Sequence, residues 1–322
     1  MPPRARAAFA SAATVVCMTA AGPAGATPFA YITNQGSHDV SVIDLASERV
    51  VATVPVGRSP AGVVADSRSG RVFVSNPDSK SISVIDMRSQ RVAATLPAGE
   101  GPVGIAASAD GQRVLVADWY RNRLLVIDPA VPQATRSIEV GRAPAGVAVN
   151  PDGATAYVAE RDDDSIAVVD LREGRVRERV KVGTHPFALT YDAARQRLYA
   201  LNVLSDDVSV IDTRRLAVIA TIPVGRAPYG AALANGGALL YVTNQHADSV
   251  SVIDAQALRV LRTLPGFGYP EGIASHGDRV YVVNWMDDDV SVLDAVTGRT
   301  LTRIATGKNS RGFGEFIGEP PP

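Results

Sequence analysis

Aromatic and basic side chains interrupt one copy of a peptide that is otherwise small and polar. The stretch VADWYRNRLLVID (116–128) carries Trp119, Tyr120 and Arg121, where a comparable stretch, VTNQHADSVSVID (242–254), carries Gln, His and Ala. Aromatic rings supply apolar contact area, and guanidinium groups pair with carboxylate or phosphate. This combination is typical of a site for an anionic or aromatic small ligand.

Other candidate residues occupy one of two repeated positions, either after the same type of strand or around a recurring proline. The candidate ligand-binding residues beyond the first three are Arg142, Glu160, His185, Phe187, Arg226, Tyr229, Glu271, Trp285 and Arg311. Trp285 holds the position of Trp119 four repeats later. In a closed ring of seven repeats, the two tryptophans would therefore lie on opposite sides of the central opening.

The elements that position these residues form a repeat of about 42 residues. An Asp closes a VSVID-like stretch at positions 44, 86, 128, 170, 212, 254 and 294, and a proline recurs in phase at 60, 102, 144, 186, 228 and 270. Each repeat has short alternating apolar runs separated by turn residues, which is the pattern of β-strands. In the first repeat we expect strands at 31–34, 40–44, 50–56 and 61–65.

Four short strands in a repeat of this length are typical of β-propeller blades. We therefore predict an all-β fold, a seven-bladed β-propeller of four-stranded antiparallel blades. The part of the chain after residue 26 begins on a strand of the 31–34 type, and its end, Gly312–Ile317, aligns with the strand expected at 61–65. The C-terminal strand should complete the N-terminal blade and close the ring, and removal of the residues after Asn309 should open it.

The repeated residues have structural explanations, so the site should lie where the repeats differ. A carboxylate at the end of a strand can accept hydrogen bonds from the N–H groups of the following turn, which explains the Asp series. Glycines such as Gly62, Gly104 and Gly146 would let strands crowd toward the axis. In an antiparallel meander, the loop after the first strand type and the proline loop lie on the same face, so the candidate residues would meet around the central opening.

The segments YITN (31–34), YVTN (241–244) and VGRAPAGVAVNPDG (140–153) resemble the YVTN-type β-propeller repeat proteins of bacteria and archaea. The resemblance covers nearly all of the chain after the first 26 residues. It implies the propeller fold, but it does not imply one activity, because relatives include binding modules, surface proteins and enzymes.

Catalytic and metal-binding patterns are sparse. By analogy with propeller lactonases and lyases, Glu271 together with Asp118 and Glu160 would be the acids of an enzymatic site. The chain has four histidines, none at ligand spacing within one segment, and we predict no metal site and no cofactor. The acidic runs 162–164, 206–207 and 287–289 lack a full set of calcium ligands and are interpreted as turn residues.

The first 26 residues have the pattern of a secretory signal peptide. Arg4 and Arg6 precede an apolar stretch, and Ala24-Gly25-Ala26 is a small-residue cleavage site. We therefore expect a signal peptide at 1–26, a propeller at 27–322, export to the periplasm or the cell exterior, and no membrane anchor. Cys17, the single cysteine, lies in the signal segment, so the mature chain would have no disulfide.

Charge argues against nucleic acid as the main partner. Without Arg4 and Arg6 the chain keeps 30 basic and 33 acidic residues, a formal charge of −3. The sequence favours a monomeric, non-enzymatic binding or scaffold protein that takes a small molecule or a protein partner at the rim of the channel. Two alternatives stay open: a metal-assisted lactonase-like or lyase-like enzyme at the channel mouth, and an accessory protein of a periplasmic redox enzyme.

Overall fold

The computed structural model describes residues 27–321, and the proposed signal segment lies outside them. Seven four-stranded antiparallel sheets are arranged in a ring around a central channel, which confirms the predicted seven-bladed propeller. The described residues form 28 strands and four short 3₁₀ turns. The turns are Pro77–Ser79, Pro132–Ala134, Arg161–Asp163 and Gln245–Ala247.

Each blade has an innermost, a second, a third and an outermost strand. The innermost strands are β4 (Val63–Asp66), β8 (Pro102–Ala107), β12 (Pro144–Val149), β16 (Pro186–Asp192), β20 (Pro228–Ala234), β24 (Pro270–His276) and β28 (Ile317–Gly318). The second strands are β1 (Phe29–Asn34), β5 (Arg71–Asn76), β9 (Val114–Asp118), β13 (Thr155–Glu160), β17 (Arg197–Asn202), β21 (Leu239–Asn244) and β25 (Arg279–Asn284).

The two outer positions of each blade complete the sheets. The third strands are β2 (Asp39–Asp44), β6 (Ser81–Asp86), β10 (Arg123–Ile127), β14 (Ser165–Asp170), β18 (Asp207–Asp212), β22 (Ser249–Asp254) and β26 (Asp289–Asp294). The outermost strands are β3 (Arg49–Pro55), β7 (Arg91–Pro97), β11 (Arg136–Glu139), β15 (Arg175–Lys181), β19 (Ala217–Pro223), β23 (Arg259–Pro265) and β27 (Thr300–Ala305).

The sequence repeat and the blade are offset by one strand. The fourth run of the first repeat, predicted at 61–65, forms β4, and β4 pairs with β5 of the next blade. The strand missing from the first blade comes from the C-terminus, where Ile317 and Gly318 of β28 pair with Ala30 and Phe29 of β1. The ring is therefore closed by strands from both ends of the described chain, as the sequence predicts.

The core lies between adjacent blades, where the apolar faces of the second and third strands pack together. The aromatic residue of the second strand is fully buried in most blades, as with Tyr31, Phe73 and Tyr157. The outermost strands alternate between exposed and half-buried residues, as expected for a blade edge that faces solvent. Apolar burial between blades is the main stabilising contribution that the architecture offers.

Glycine makes the close approach of the innermost strands possible. A Cβ added at Gly104 would overlap the carbonyl oxygen of Ala145 in the next blade, and one at Gly62 would overlap that of Val103. The same relation holds between Gly146 and Phe187. This agrees with the predicted role of the glycine series, because a side chain at these positions would force the blades apart.

Hydroxyl groups also connect adjacent blades. The hydroxyl of Thr243 accepts a hydrogen bond from the N–H of Gly230 and donates one to the carbonyl oxygen of Glu271 in the next blade, at 2.8 and 2.7 Å. Ser75 makes the same pair of contacts with Gly62 and Val103. The Thr of the YVTN pattern is thus explained by contacts between blades.

Candidate functional site

The loops that follow the second strands and the loops that contain the recurring proline pack together on one face of the ring, here called the top face. The N–H of Trp119 bonds to the carbonyl oxygen of Gly101 at 2.9 Å, and that of Trp285 bonds to Tyr269 at 3.2 Å. Gln245 and Ala227 are joined in the same way. This pairing brings the variable positions of both loop series to the mouth of the central channel, as the meander predicts.

A cavity of about 600 Å³ lies at this mouth and is here called the top cavity. Five of its twelve lining residues are aromatic, and the others are two Gln, two Arg, one Glu, one Val and one Met. The lining residues are Gln35, Trp119, Arg161, Phe187, Val203, Tyr229, Gln245, Tyr269, Glu271, Trp285, Met286 and Arg311. Both tryptophans of the chain line it from blades three and seven. A volume of this size accommodates a small organic ligand.

Aromatic contacts hold the two sides of the top cavity in place. On one side, Trp119 packs against the ring of Phe187 at a centroid distance of 6.3 Å, and the guanidinium of Arg161 lies 5.4 Å from the Trp119 ring. On the other side, Trp285 packs against Tyr269 at 5.6 Å. These contacts restrict the rings, so a ligand would meet preformed walls.

The floor of the top cavity is a polar cluster centred on Arg311. The Nε of Arg311 donates to Glu271 at 2.7 Å, and its Nη2 donates to the hydroxyl of Tyr229. Gln245 donates to the other carboxylate oxygen of Glu271, also at 2.7 Å. The side chain of Arg311 keeps 19% of its surface exposed, whereas that of Glu271 keeps 4%. Arg311 is therefore the charged group of this pair that reaches the cavity.

Burial raises the pKa of the Glu271 carboxyl, and the guanidinium of Arg311 opposes that rise. Burial likewise works against the charged form of Arg311, but Glu271 and then Tyr229 raise its pKa above the ordinary value. Desolvation also raises the pKa of Tyr229. Its hydroxyl therefore stays neutral at physiological pH and serves as an acceptor for Arg311.

Part of the hydrogen-bonding capacity of Arg311 is unused. A guanidinium carries five N–H groups. Glu271 and Tyr229 take two of them, and the remaining N–H groups have no acceptor among residues 27–321. Because the exposed part of the side chain lies in the top cavity, these donors are available to an anionic group that enters it.

Six of the twelve predicted site residues line the top cavity: Trp119, Phe187, Tyr229, Glu271, Trp285 and Arg311. The other six lining residues were not among the predicted site residues: Gln35, Arg161, Val203, Gln245, Tyr269 and Met286. Most of these follow the second strand in the same register as Trp119. That register identifies Gln35, Arg161, Val203 and Gln245, whereas Tyr269 precedes a recurring proline and Met286 directly follows Trp285.

Tyr120 and Arg121 lie outside the top cavity, although they follow Trp119 directly. Tyr120 is 72% exposed, and together with Arg121, Lys80 and Glu100 it lines a shallow depression further out on the top face. Arg121 approaches Glu100 at 4.0 Å. The unusual peptide of blade three therefore contributes one residue, Trp119, to the cavity wall.

The predicted basic residues of the proline loops bind neighbouring loops. Arg142 pairs with Asp163 at 2.7 Å, and Arg226 donates to the carbonyl oxygen of His246 at the same distance. His185 is partly buried, with its Nε2 4.0 Å from a carboxylate oxygen of Asp162. These side chains are outside the wall of the top cavity and connect the loops that surround it.

Glu160 and Asp118 lie inside their blades. Glu160 is fully buried, accepts a hydrogen bond from the N–H of Gly141 at 2.7 Å and pairs with Arg179 at 3.1 Å. Asp118 accepts bonds from two backbone N–H groups and pairs with Arg123. In most other blades an Asn at this position bonds to the third strand. These two acids are therefore apart from Glu271, with which the enzymatic alternative groups them.

The acidic runs are engaged by backbone N–H groups and basic side chains. Asp288 accepts a bond from the N–H of Asn309 at 2.6 Å and pairs with Lys308, and Asp206 accepts one from the N–H of Ala227. In the described part of the chain, no three His, Cys, Asp or Glu side chains are grouped to hold a metal ion. Nor do residues 27–321 contain a helix long and apolar enough to cross a membrane.

The ring of seven blades with a lined channel mouth places the chain among the β-propellers. A family model described as a YNCE-like beta-propeller matches residues 64–152 and 148–313. These ranges cover most of the sequence, so the chain belongs to the YNCE-like β-propeller family. Membership confirms the YVTN-type resemblance at the level of the family. No curated protein matches the chain significantly.

Solved structures share the fold at low sequence identity. Hydrazine synthase from Kuenenia stuttgartiensis is 22% identical with a TM-score of 0.74, over 83% of this chain and 92% of that one. A functionally unknown protein from Desulfotomaculum acetoxidans is 13% identical with a TM-score of 0.77, over 91% and 99%. The dihydro-heme d1 dehydrogenase NirN, solved in complex with DHE, is 16% identical with a TM-score of 0.68, over 88% and 74%. At these identities the likeness concerns the fold alone.

Proposed function

We propose that this protein is a propeller-type binding protein whose top cavity takes a small planar ligand with an anionic group. The observation that carries the proposal is the position of Arg311, a partly exposed guanidinium with spare donors at the floor of a cavity walled by aromatic rings. The rings would contact the planar body of the ligand, and Arg311 would bind its carboxylate.

Arg161 supports the anionic class. It lines the same cavity and lies against the Trp119 ring, with 30% of its side chain exposed. Arg161 pairs with Asp162, and Arg311 pairs with Glu271. The two positive charges are therefore balanced overall. Glu271 keeps only 4% of its side-chain surface exposed, against 19% for Arg311, so the cationic partner is the more accessible of that pair. A ligand that approaches from solvent thus meets guanidinium groups and aromatic faces.

Tryptophan fluorescence provides a direct test, because both tryptophans of the chain line the cavity. The mature chain (27–322) is titrated with benzoate and naphthalene-2-carboxylate, with neutral benzyl alcohol and cationic benzylammonium as comparison compounds. We expect the two carboxylates to change the emission with saturation and to bind more tightly than the other compounds. Absence of binding, or tighter binding of benzylammonium, would contradict the proposed ligand class.

Two adjacent aromatic residues offer a matched pair of variants for calorimetric titration. Trp119→Ala removes a wall of the cavity, and we expect binding to weaken about tenfold or more, since an aromatic wall contributes on the order of 1–2 kcal/mol. Tyr120→Ala removes a ring of similar size that lies outside the cavity, and affinity should stay within about twofold. Equal effects of the two substitutions would refute the site assignment.

Arg311→Lys separates charge from hydrogen-bonding geometry. The variant keeps a positive charge beside Glu271 but loses the planar fork that binds a carboxylate through two bonds. We expect weaker binding of benzoate and unchanged binding of benzyl alcohol. Loss of affinity for both compounds would indicate a damaged cavity floor instead of a lost anion contact.

Export is part of the proposal and rests on the sequence pattern of residues 1–26. Cell fractionation followed by N-terminal sequencing tests it, and we expect a mature chain that begins at Thr27 and is found outside the cytoplasm. A full-length chain in the cytoplasm would contradict export. The enzymatic and redox-accessory alternatives have no comparable support, because the likeness to hydrazine synthase and NirN extends to the fold only.

A further inference from the structure

An aromatic plug divides the central channel into two compartments. Phe313 lies in the channel with its ring 4.9 Å from that of Phe187 and 5.8 Å from that of Tyr229, which belong to the wall and floor of the top cavity. Below the plug is a second cavity of about 370 Å³, here called the lower compartment. It is lined by the innermost strands and by the C-terminal segment that closes the ring.

Glycine, alanine and aliphatic residues make up most of the lining of the lower compartment, and few of its side chains are polar. Three hydroxyls line it, and each already has a partner in the protein. Thr190 donates to the carbonyl oxygen of Ala231 at 2.8 Å, Ser275 donates to that of Leu233 at 2.5 Å, and the hydroxyl of Tyr191 bonds to Gln196 at 3.4 Å. The hydroxyls are therefore largely committed to the fold.

Glu315 differs from these three hydroxyl side chains because its carboxylate has no partner among the described residues. Its side chain faces the lower compartment, and in the described part of the chain its carboxylate receives no hydrogen bond and forms no ion pair. In the same register the other innermost strands carry uncharged residues: Ala65, Ala107, Val149, Tyr191, Leu233 and Ser275. The Glu315 side chain is accessible from the channel, so its unpaired carboxylate is available to a ligand that enters the lower compartment.

The backbone keeps Glu315 at this position. Its carbonyl oxygen accepts the N–H of Ala65 at 2.8 Å, and the preceding Gly314 has a φ of +124°, a conformation that favours glycine. The neighbouring Asp66 is also acidic, and its carboxylate accepts hydrogen bonds from the N–H groups of Arg68 and Ser69 and from the Ser69 hydroxyl. Desolvation by the surrounding channel wall, and then the charge of Asp66, raise the pKa of Glu315.

We propose that the lower compartment binds a small organic cation, a primary ammonium group on a compact apolar body, with Glu315 as its counter-charge. The ammonium would supply the charge-assisted hydrogen bonds that the carboxylate lacks, and the body would contact the aliphatic walls. A volume of about 370 Å³ accommodates a small organic ligand of this kind. A metal ion fits poorly, because no group of three metal-binding side chains exists among residues 27–321.

The test is a calorimetric titration of the mature chain with n-butylammonium, with butan-1-ol as the neutral compound of the same shape. We expect saturable binding of the ammonium and at least about tenfold weaker binding of the alcohol, since a hydrogen bond to a charged group is worth about 1.5–3 kcal/mol. Equal binding of both compounds, or no binding of the ammonium, would overturn the proposal.

Three variants distinguish the effect of the Glu315 charge from the effect of the cavity volume. Glu315→Gln keeps the volume and removes the charge, so the ammonium should bind at least tenfold more weakly. Glu315→Asp keeps the charge and should retain most of the affinity. Ala231→Leu keeps Glu315 but fills part of the compartment and should also abolish binding. Full affinity in either Glu315→Gln or Ala231→Leu would contradict the site, and unchanged thermal unfolding would confirm that each variant is folded.

The two cavities are tested independently. n-Butylammonium should leave tryptophan emission unchanged, because Trp119 and Trp285 lie above the aromatic plug. The Trp119→Ala variant should bind it as tightly as the unsubstituted chain. If n-butylammonium instead competes with benzoate in the top cavity, it does not occupy the lower compartment and the present inference is wrong, while the top cavity remains a ligand site.

Discussion

The Asp that ends each third strand has the same physical role around the ring. In Asp44 and Asp212, as in the others, one carboxylate oxygen accepts hydrogen bonds from N–H groups two or three residues further on. These bonds favour the ionised form, and they lower the pKa of Asp212 and of its counterpart Asp254. A residue that recurs in all seven repeats is thus explained by its own turn and carries no information about a ligand.

This assignment predicts a pH-dependent contribution to stability. Because the folded-state pKa is below the unfolded value of about 3.9, the carboxylate stabilises the fold above that pH, and the contribution is lost as pH falls through the folded pKa. Asp212→Asn should therefore lower the melting temperature at pH 7, with a smaller difference at pH 3. Asp278→Asn, at an exposed carboxylate, is the control and should have little effect at either pH. An equal Asp212→Asn effect at both values would contradict the assignment.

Single residues also show where reasoning from the sequence was incomplete. Trp119 and Trp285 stood out because they are large and rare, and both line the top cavity. Arg142 of a proline loop and Glu160 at the end of a second strand have the right chemistry, but their side chains are bound by Asp163 and Arg179. Register along the repeat predicts the face on which a residue lies. It does not predict whether a nearby opposite charge captures its side chain.

At the level of the element, the innermost strand is the most constrained part of the blade. It lines the channel on one side and lies against the innermost strand of the next blade on the other, so one position has room only for a hydrogen atom. The glycine series is a consequence of this packing. The sequence predicted the crowding, because glycine recurs at that position, but only the structure identifies what it contacts.

Gly104→Ala tests this close approach. The added Cβ would overlap the carbonyl oxygen of Ala145, and backbone atoms cannot move aside as a flexible side chain would. We expect a loss of about 1–3 kcal/mol in the free energy of unfolding, the usual cost of overpacking, measured by urea denaturation. Ala188 holds the position of Gly104 in another blade, and Ala188→Gly is the reverse substitution. It should lower the free energy of unfolding by about 0.5–1 kcal/mol. A smaller loss for Gly104→Ala than for Ala188→Gly would argue against close contact.

The closing segment departs from the strand expected over Gly312–Ile317. Only Ile317 and Gly318 form a strand, while Gly312 and Gly314 have positive φ values of 60° and 124°. These glycines allow the backbone to bend so that Phe313 enters the channel and Phe316 enters the core between blades. The glycine spacing was visible in the sequence, but the direction of each ring depends on contacts with Phe187 and Tyr229 from distant blades.

For the molecule as a whole, closure of the ring and formation of the cavities are the same event. Arg311 and Phe313 come from the segment that closes the first blade, yet they form the floor of the top cavity and the plug below it. The backbone of this segment bonds to Thr33 and Tyr31 of β1 at 2.8 Å. An open ring would therefore lack both the guanidinium that we propose to bind the anion and the carboxylate that we propose as the counter-charge of the lower compartment.

Removal of the residues after Asn309 tests the role of closure. The truncation deletes the partner strand of β1 and the fully buried Phe316, so we expect a large drop in melting temperature or loss of cooperative unfolding, together with loss of benzoate binding. Circular dichroism and size-exclusion chromatography provide the measurements. Truncation after Gly318 keeps the closing strand and is the control. A truncated chain that is as stable as the control would show that the ring is held by the remaining blades alone.

The sequence by itself determined the number of blades, the strand order within them, the closure by both termini and the face that carries the variable residues. These follow from local periodicity and chain connectivity, which a repeat displays seven times over. Tertiary structure decided which variable residues share a cavity, which are bound by neighbouring charges, and that Phe313 divides the channel above Glu315. Such features depend on distances between blades remote in sequence, for example between Arg311 and Tyr229, and no pattern within one repeat encodes them.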